Sequence, residues 1–153
     1  MKLRHALPVA AVALATTAVT TSATAQNADP NAKATFVSSI KAGAKKATLR
    51  VRYRCAEGEA LWVSAKQVKS GKRDKRLTKE GSSKVAKAWW QSHRNPFVCN
   101  GSSHTARFTI DKVEPGSKGK LKKGRAWVQF CVTKGEGDAG ALILSKSGWV
   151  KVR

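Results

Sequence analysis

"ATLRVRYRC", residues 47 to 55, alternates without a break: Leu49, Val51, Tyr53 and Cys55 fall on one side of an extended chain, Arg50, Arg52 and Arg54 on the other. Successive side chains of a strand point to opposite faces, so this is a half-buried strand with an arginine row turned to water. The same period recurs along the chain. "SHTARFTIDKV" (103–113) aligns His104, Ala106, Phe108 and Ile110, and "RAWVQFCVT" (125–133) aligns Ala126, Val128, Phe130 and Val132. "ALWVSAKQV" (60–68) is a further strand, reached through "AEGE", which reads as a hairpin connection around Gly58. "ATFVSSI" (34–40) opens the series, and "GALILS" and "GWVKV" close it as two short strands.

One segment fits two periods. "SSKVAKAWWQ" (82–91) has the Ala and Lys of a short helix, yet Val85, Lys87 and Trp89 alternate. We read it as a strand. Trp89 and Trp90 then point to opposite sides, and one of them must leave the main core. About seven short strands with glycine-rich breaks and almost no helical period predict an all-β fold, an antiparallel β-sandwich.

The N-terminus predicts export. "MKLRH" is a short basic lead, "ALPVAAVALATTAV" an uncharged apolar run of 14 residues, and Ala23 and Ala25 stand where a signal peptidase reads. That run is shorter than the ~20 residues a spanning helix needs. The expected organisation is a cleaved signal peptide over residues 1–25, a flexible leader over 26–33 and a single domain over 34–153. The product is expected to be secreted, extracellular and not an integral membrane protein.

The chain has 30 Lys and Arg against 9 Asp and Glu, a formal net charge of +21. Removing the signal takes away Lys2 and Arg4 and no acid. Such a charge repels itself and attracts polyanions. It is concentrated in Lys66 to Lys87, which includes "KRDKR" at 72–76, and in "KGKLKKGR" at 118–125. Both stretches lie where strands end, so both are expected at hairpin tips. The candidate polyanion-binding residues are Lys72, Arg73, Lys75, Arg76, Lys79, Lys120, Lys122, Lys123 and Arg125, with Trp89 or Trp90 as a stacking element.

Three cysteines in an exported chain imply one bridge and one thiol over. Cys55 ends a strand on its inward face, and Cys99 precedes the turn "NGSS". A Cys55–Cys99 bridge would close a loop of about 44 residues, worth ~4 kcal/mol by loop entropy. A Cys55–Cys131 bridge would imitate the inter-sheet bond of an immunoglobulin domain. Against it, the next tryptophan, Trp62, comes too soon after Cys55, and no tyrosine stands two before Cys131. Cys131 alternates with Trp127, Gln129 and Thr133, opposite Phe130 and Val132, on the more polar face or packed under Trp127.

"YRC" (53–55), "VCNGSSH" (98–104) and "GRAWVQFC" (124–131) resemble motifs of small secreted actinobacterial immunoglobulin-like β-sandwich proteins of unknown function. The resemblance rests on Tyr53, Cys55, Val98, Cys99, Asn100, Gly101, His104, Gly124, Ala126, Val128 and Cys131. It covers most of residues 35–153. It implies an immunoglobulin-like sandwich from a Gram-positive bacterium, a bridge between Cys55 and Cys99, and a Cys131 that has lost the partner other members keep. It carries no activity.

No catalytic constellation stands out. A cysteine nucleophile needs a base and an orienting group, and His93 and His104 read as structural. Cys99 and His104 lack a second pair of metal ligands. Glu57 with Glu59, and Glu136 with Asp138, sit in glycine-containing turns beside positive charge and read as solvated turn residues. No cofactor, metal or small-molecule substrate is expected. The expected function is a secreted, non-enzymatic domain that holds anionic polymers (cell-wall polymer, polysaccharide or extracellular nucleic acid, the last without specificity). A membrane-active or antimicrobial protein is the alternative, and an enzyme ranks third.

Overall fold

The computed structural model describes residues 30–79, 82–117, 119–135 and 140–153, apart from the side chain of Ser83. The expected signal peptide, most of the leader, Lys118, Glu136 and Asp138 lie outside the described residues. Nine strands form two sheets, with two single-turn 3₁₀ segments and almost no other helix. The two strands beyond the seven expected are two-residue pieces.

In the smaller sheet, β3 (Ala47–Arg54) is central. β1 (Lys33–Phe36) and β2 (Lys41–Ala42) lie end to end along one side of it, and β6 (Ser103–Ile110) lies along the other, all antiparallel. The larger sheet runs β7 (Lys112–Val113), β5 (Ala88–Ser92), β4 (Ala60–Gln67), β8 (Gly124–Lys134), β9 (Ala141–Val152). A parallel bridge between Ile40 and Val152 ties the two sheets at one margin.

Alternation set the faces as the sequence requires. Leu49, Val51, Tyr53, Phe108 and Ile110 meet Leu61, Val63, Ala65, Val128, Phe130 and Val132 in one buried core. Phe108 packs edge-on to Phe130 at 5.1 Å, and Tyr53 lies 5.7 Å from each ring, an aromatic contact bridging the sheets. The phenol of Tyr53 accepts a bond from the Val98 amide. Arg50 and Arg52 point outward and are exposed.

Three expectations change. "AEGE" is not a hairpin connection: β3 and β4 belong to different sheets, so residues 56–59 carry the chain from one layer to the other. "GALILS" and "GWVKV" are one strand, because β9 pairs with β8 from Ala141 to Val152 and absorbs its irregularity in a bulge opposite Val132 and Thr133. β9 is also an edge of its sheet, and its Lys146 stands opposite the inward Phe130. Segment 82–91 divides: Ser82–Lys84 is a 3₁₀ turn, and only Ala88 onward is strand.

Cys55 and Cys99 are bonded, with their Cα atoms 4.8 Å apart. The bridge pins the β5–β6 crossing to the end of β3, and the Gly101 amide donates to the Cys55 carbonyl beside it. Cutting a cross-link across 44 residues restores ~4 kcal/mol of chain entropy to the unfolded state. Cys55→Ser with Cys99→Ser is therefore expected to lower unfolding free energy by about 4 kcal/mol in urea titration, and reductant is expected to have no further effect on that variant.

Candidate functional site: the basic end of the larger sheet

β4 runs out at Gln67 opposite Ala88 of β5, and Lys66 stands opposite Trp127 near the start of β8. The 68–87 connection and the approach to β8 therefore leave from the same end of the sheet. The first joins two paired neighbours and is a long hairpin connection, as expected. The second is not a hairpin tip. β7 and β8 are separated by β5 and β4, so residues 114–123 cross the end of the sheet.

One side chain draws the two segments together. Gln67 is buried, its amide nitrogen donates to the Lys122 carbonyl at 2.8 Å, and its amide oxygen accepts from the Lys122 amide at 2.8 Å. This pairs a loop's backbone as a strand neighbour would. Close by, the Arg125 amide donates to the Gly71 carbonyl at 2.7 Å. Gly71 and Gly124 touch there, both at positive φ (66° and 148°), and a Cβ on Gly124 would strike the Gly71 carbonyl. Gly119 similarly lies against the Lys87 carbonyl. The indole of Trp90, buried in the core, reaches out to donate to the Gly119 carbonyl at 3.0 Å.

Between the segments lies a cleft of about 440 Å³ walled by Gln67 and Ala88 and rimmed by Lys69, Lys84, Lys87, Lys120 and Lys122. The nine basic residues singled out from the sequence are all exposed. Lys120 and Lys122 line the cleft. Lys72, Arg73, Lys75 and Lys79 belong to the outer part of the hairpin connection, around the 3₁₀ turn Lys75–Thr78. Arg76 is engaged: its guanidinium forks onto Asp74, which also caps that turn, and this pairing holds the Asp74 carboxyl below its usual range. Lys123 and Arg125 flank the Gly71 contact. Lys69, Lys84 and Lys87 were part of the dense stretch but did not stand out within it. Only the fold shows that they face Lys120 and Lys122.

The tryptophan pair splits as the strand reading demands. Trp90 is only 2 % exposed, so it cannot serve for stacking. Trp89 is half-buried on the outer face, with the Lys66 ammonium 4.2 Å from its ring centroid.

Cys131 is unbridged. It lies on the outer face between Trp62 of β4 and Ser145 of β9, with its sulfur 3.7 Å from the Ser145 hydroxyl. Burial pushes its thiol above the ordinary range. His104 bonds Asn100 at 2.8 Å on the other sheet, while His93 stacks on Trp62 at 6.3 Å. Among the described residues, no group of three or more His, Cys, Asp or Glu could hold a metal ion, and no helix is long and apolar enough to cross a membrane. No protein-family model matches the chain, and no curated protein matches it.

Gln67→Ala strips the Lys122 amide and carbonyl of their partner. We expect a loss of ~1–3 kcal/mol in denaturant titration, with faster hydrogen exchange at Lys122. For Cys131 the folded state holds the proton more tightly than the unfolded state. That contribution is full below the unfolded thiol's pKa and lost as pH rises past it. Thiol titration should find one reactive group after unfolding without reductant, and native alkylation at pH 8 should be at least tenfold slower than in urea.

Proposed function

We propose that the chain is a secreted, non-enzymatic binding domain that holds anionic polymers at the basic end of its larger sheet. One observation carries the reading: the Gln67 clamp sets two separate lysine-rich segments side by side around a single cleft. Lysines so gathered raise the local potential above what the same charges would give if scattered. Among the described residues Arg76, Arg94 and Lys134 form ion pairs, and of these Arg76 belongs to the nine candidates. The Cys55–Cys99 bridge suits an oxidising compartment and supports export. Burial raises the pKa of the Cys131 thiol, which argues against its serving as a nucleophile.

We further propose that the sandwich is of the immunoglobulin-like type and related to the secreted actinobacterial proteins whose motifs it resembles. The order β1-β3-β6 facing β5-β4-β8-β9, with the parallel Ile40–Val152 bridge, supports this.

Salt elution from a polyphosphate column tests the binding reading. Replacing Lys84, Lys120 and Lys122 at the cleft with Gln, or Lys72, Arg73, Lys75 and Lys79 beyond it, should lower the eluting salt, and each lost contact should reduce the slope of log K against log salt by about one. Unchanged retention would overturn it.

A further inference from the structure

Four of the five tryptophans lie outside the core, on the outer face of the larger sheet. β9 offers Trp149, β8 Trp127, β4 Lys66 and β5 Trp89, side by side in one row across four strands. The next row is Ser147, Gln129, Ser64 and Gln91, and the one after it holds Ser145, Cys131 and Trp62. On the other flank, Arg125 and Lys151 stand opposite each other two residues from Trp127 and Trp149. The face is thus ordered along the strands as cations, then indoles, then hydroxyls and amides.

A solvent face of an antiparallel sheet is ordinarily polar. Here Trp62, Trp89, Trp127 and Trp149 are all half-buried on that face. Trp127 and Trp149 meet edge-on at 5.4 Å. Trp62 donates to the Gln91 amide oxygen at 2.6 Å, and the Gln91 amide donates to Glu114. Beneath this paving are polar atoms without a hydrogen-bond partner: the hydroxyl of Ser64, wholly buried, the amide oxygen of Gln129, and the indole nitrogens of Trp89 and Trp127. Such groups are costly while unpaired, and a shift of the indoles that cover them would open them to a hydroxyl-bearing ligand.

We propose that this face binds an acidic saccharide chain, its sugar rings lying on the Trp127–Trp149 pair and on Trp89 and its carboxylate or sulfate groups meeting Arg125 and Lys151. Trp127 and Trp89 are two strands apart, about 10 Å, close to the length of a disaccharide. The cations form one margin rather than a track, which suits a polymer charged at intervals. Nucleic acid, with a phosphate on every unit, would call for charge along the whole row. In the next row the exposed Ser147 and the half-buried Gln129 stand beside the indoles, where sugar hydroxyls would lie. A cleft of about 680 Å³ touches the same margin through Trp149 and Lys151 and brings Lys41, Lys146 and Arg153 alongside. The inference borrows its sign of charge from the polyanion reading above and names the polymer.

The test uses indole emission of the protein titrated with a uronic-acid oligosaccharide of ten sugars, a neutral oligosaccharide of equal length, linear polyphosphate and single-stranded DNA. The acidic oligosaccharide should change the emission and protect the indoles from acrylamide, with the neutral one at least tenfold weaker. Trp127→Ala and Trp149→Ala should each weaken oligosaccharide binding at least tenfold and leave polyphosphate retention unchanged. Trp127→Phe, gentler to the fold, should weaken it less. Substituting Lys72, Arg73, Lys75 and Lys79 should do the reverse, so failure of the basic end and failure of this face are read separately. The proposal is overturned if the acidic oligosaccharide leaves wild-type emission and quenching unchanged, or if DNA binds as tightly with the same tryptophan dependence. Self-association that Trp127→Ala abolishes would also overturn it, since a second copy would then be the occupant.

Discussion

Positive charge is the constraint under which this fold is built. A domain of this size buries a modest core, and its lysines and arginines repel one another in the compact state more than in the unfolded chain. The architecture answers by sorting. The aromatic contact of Tyr53, Phe108 and Phe130 joins the two sheets at the centre, while arginines of the smaller sheet and lysines of the loops point away from it. Even so, Arg50 stands directly opposite Arg107 on the outer face of the smaller sheet, an arrangement that weakens strand pairing. The Cys55–Cys99 bridge offsets such costs by restricting the unfolded chain rather than by adding contacts to the folded one.

Lys66 is the exception to the sorting. It is 3 % exposed, and its ammonium lies over the Trp89 ring. A buried ammonium is tolerable only where electron-rich groups surround it, and the Trp89 ring is one of them. The basic end and the aromatic face therefore meet at one strand: β4 supplies Lys66 to the face and, at the next position, Gln67 to the clamp.

What the sequence revealed follows from where period-two alternation is decisive. Val51, Phe108 and Val128 each sit in a clean alternating run, and all three are core residues. The Trp89–Trp90 pair was legible for the same reason, since two neighbours in a strand cannot both face inward. Sheet membership was not legible. Nothing in "AEGE" distinguishes a turn that returns along its own sheet from one that crosses to the other, because both need the same small and polar residues. Gly148 hid the continuity of β9: it reads as a break, yet it sits within the strand and lies against Phe36 of β1. The clamp was equally hidden, since Gln67 and Lys122 are 55 positions apart and only tertiary structure joins them. Trp62, Trp127 and Trp149 lie on three strands, and their common face emerges only from the register.

β9 carries a wider consequence. A twelve-residue strand at the margin of a sheet is an invitation to templated growth, since beyond the stretch held by Ile40 its outer amides and carbonyls could accept a strand from another molecule. Lys146 is turned towards the interior side at mid-length and the bulge breaks the regular spacing. A neighbour docking there would have to entomb an ammonium group and tolerate a misplaced rung. The margin is thereby a poor template for fibrils.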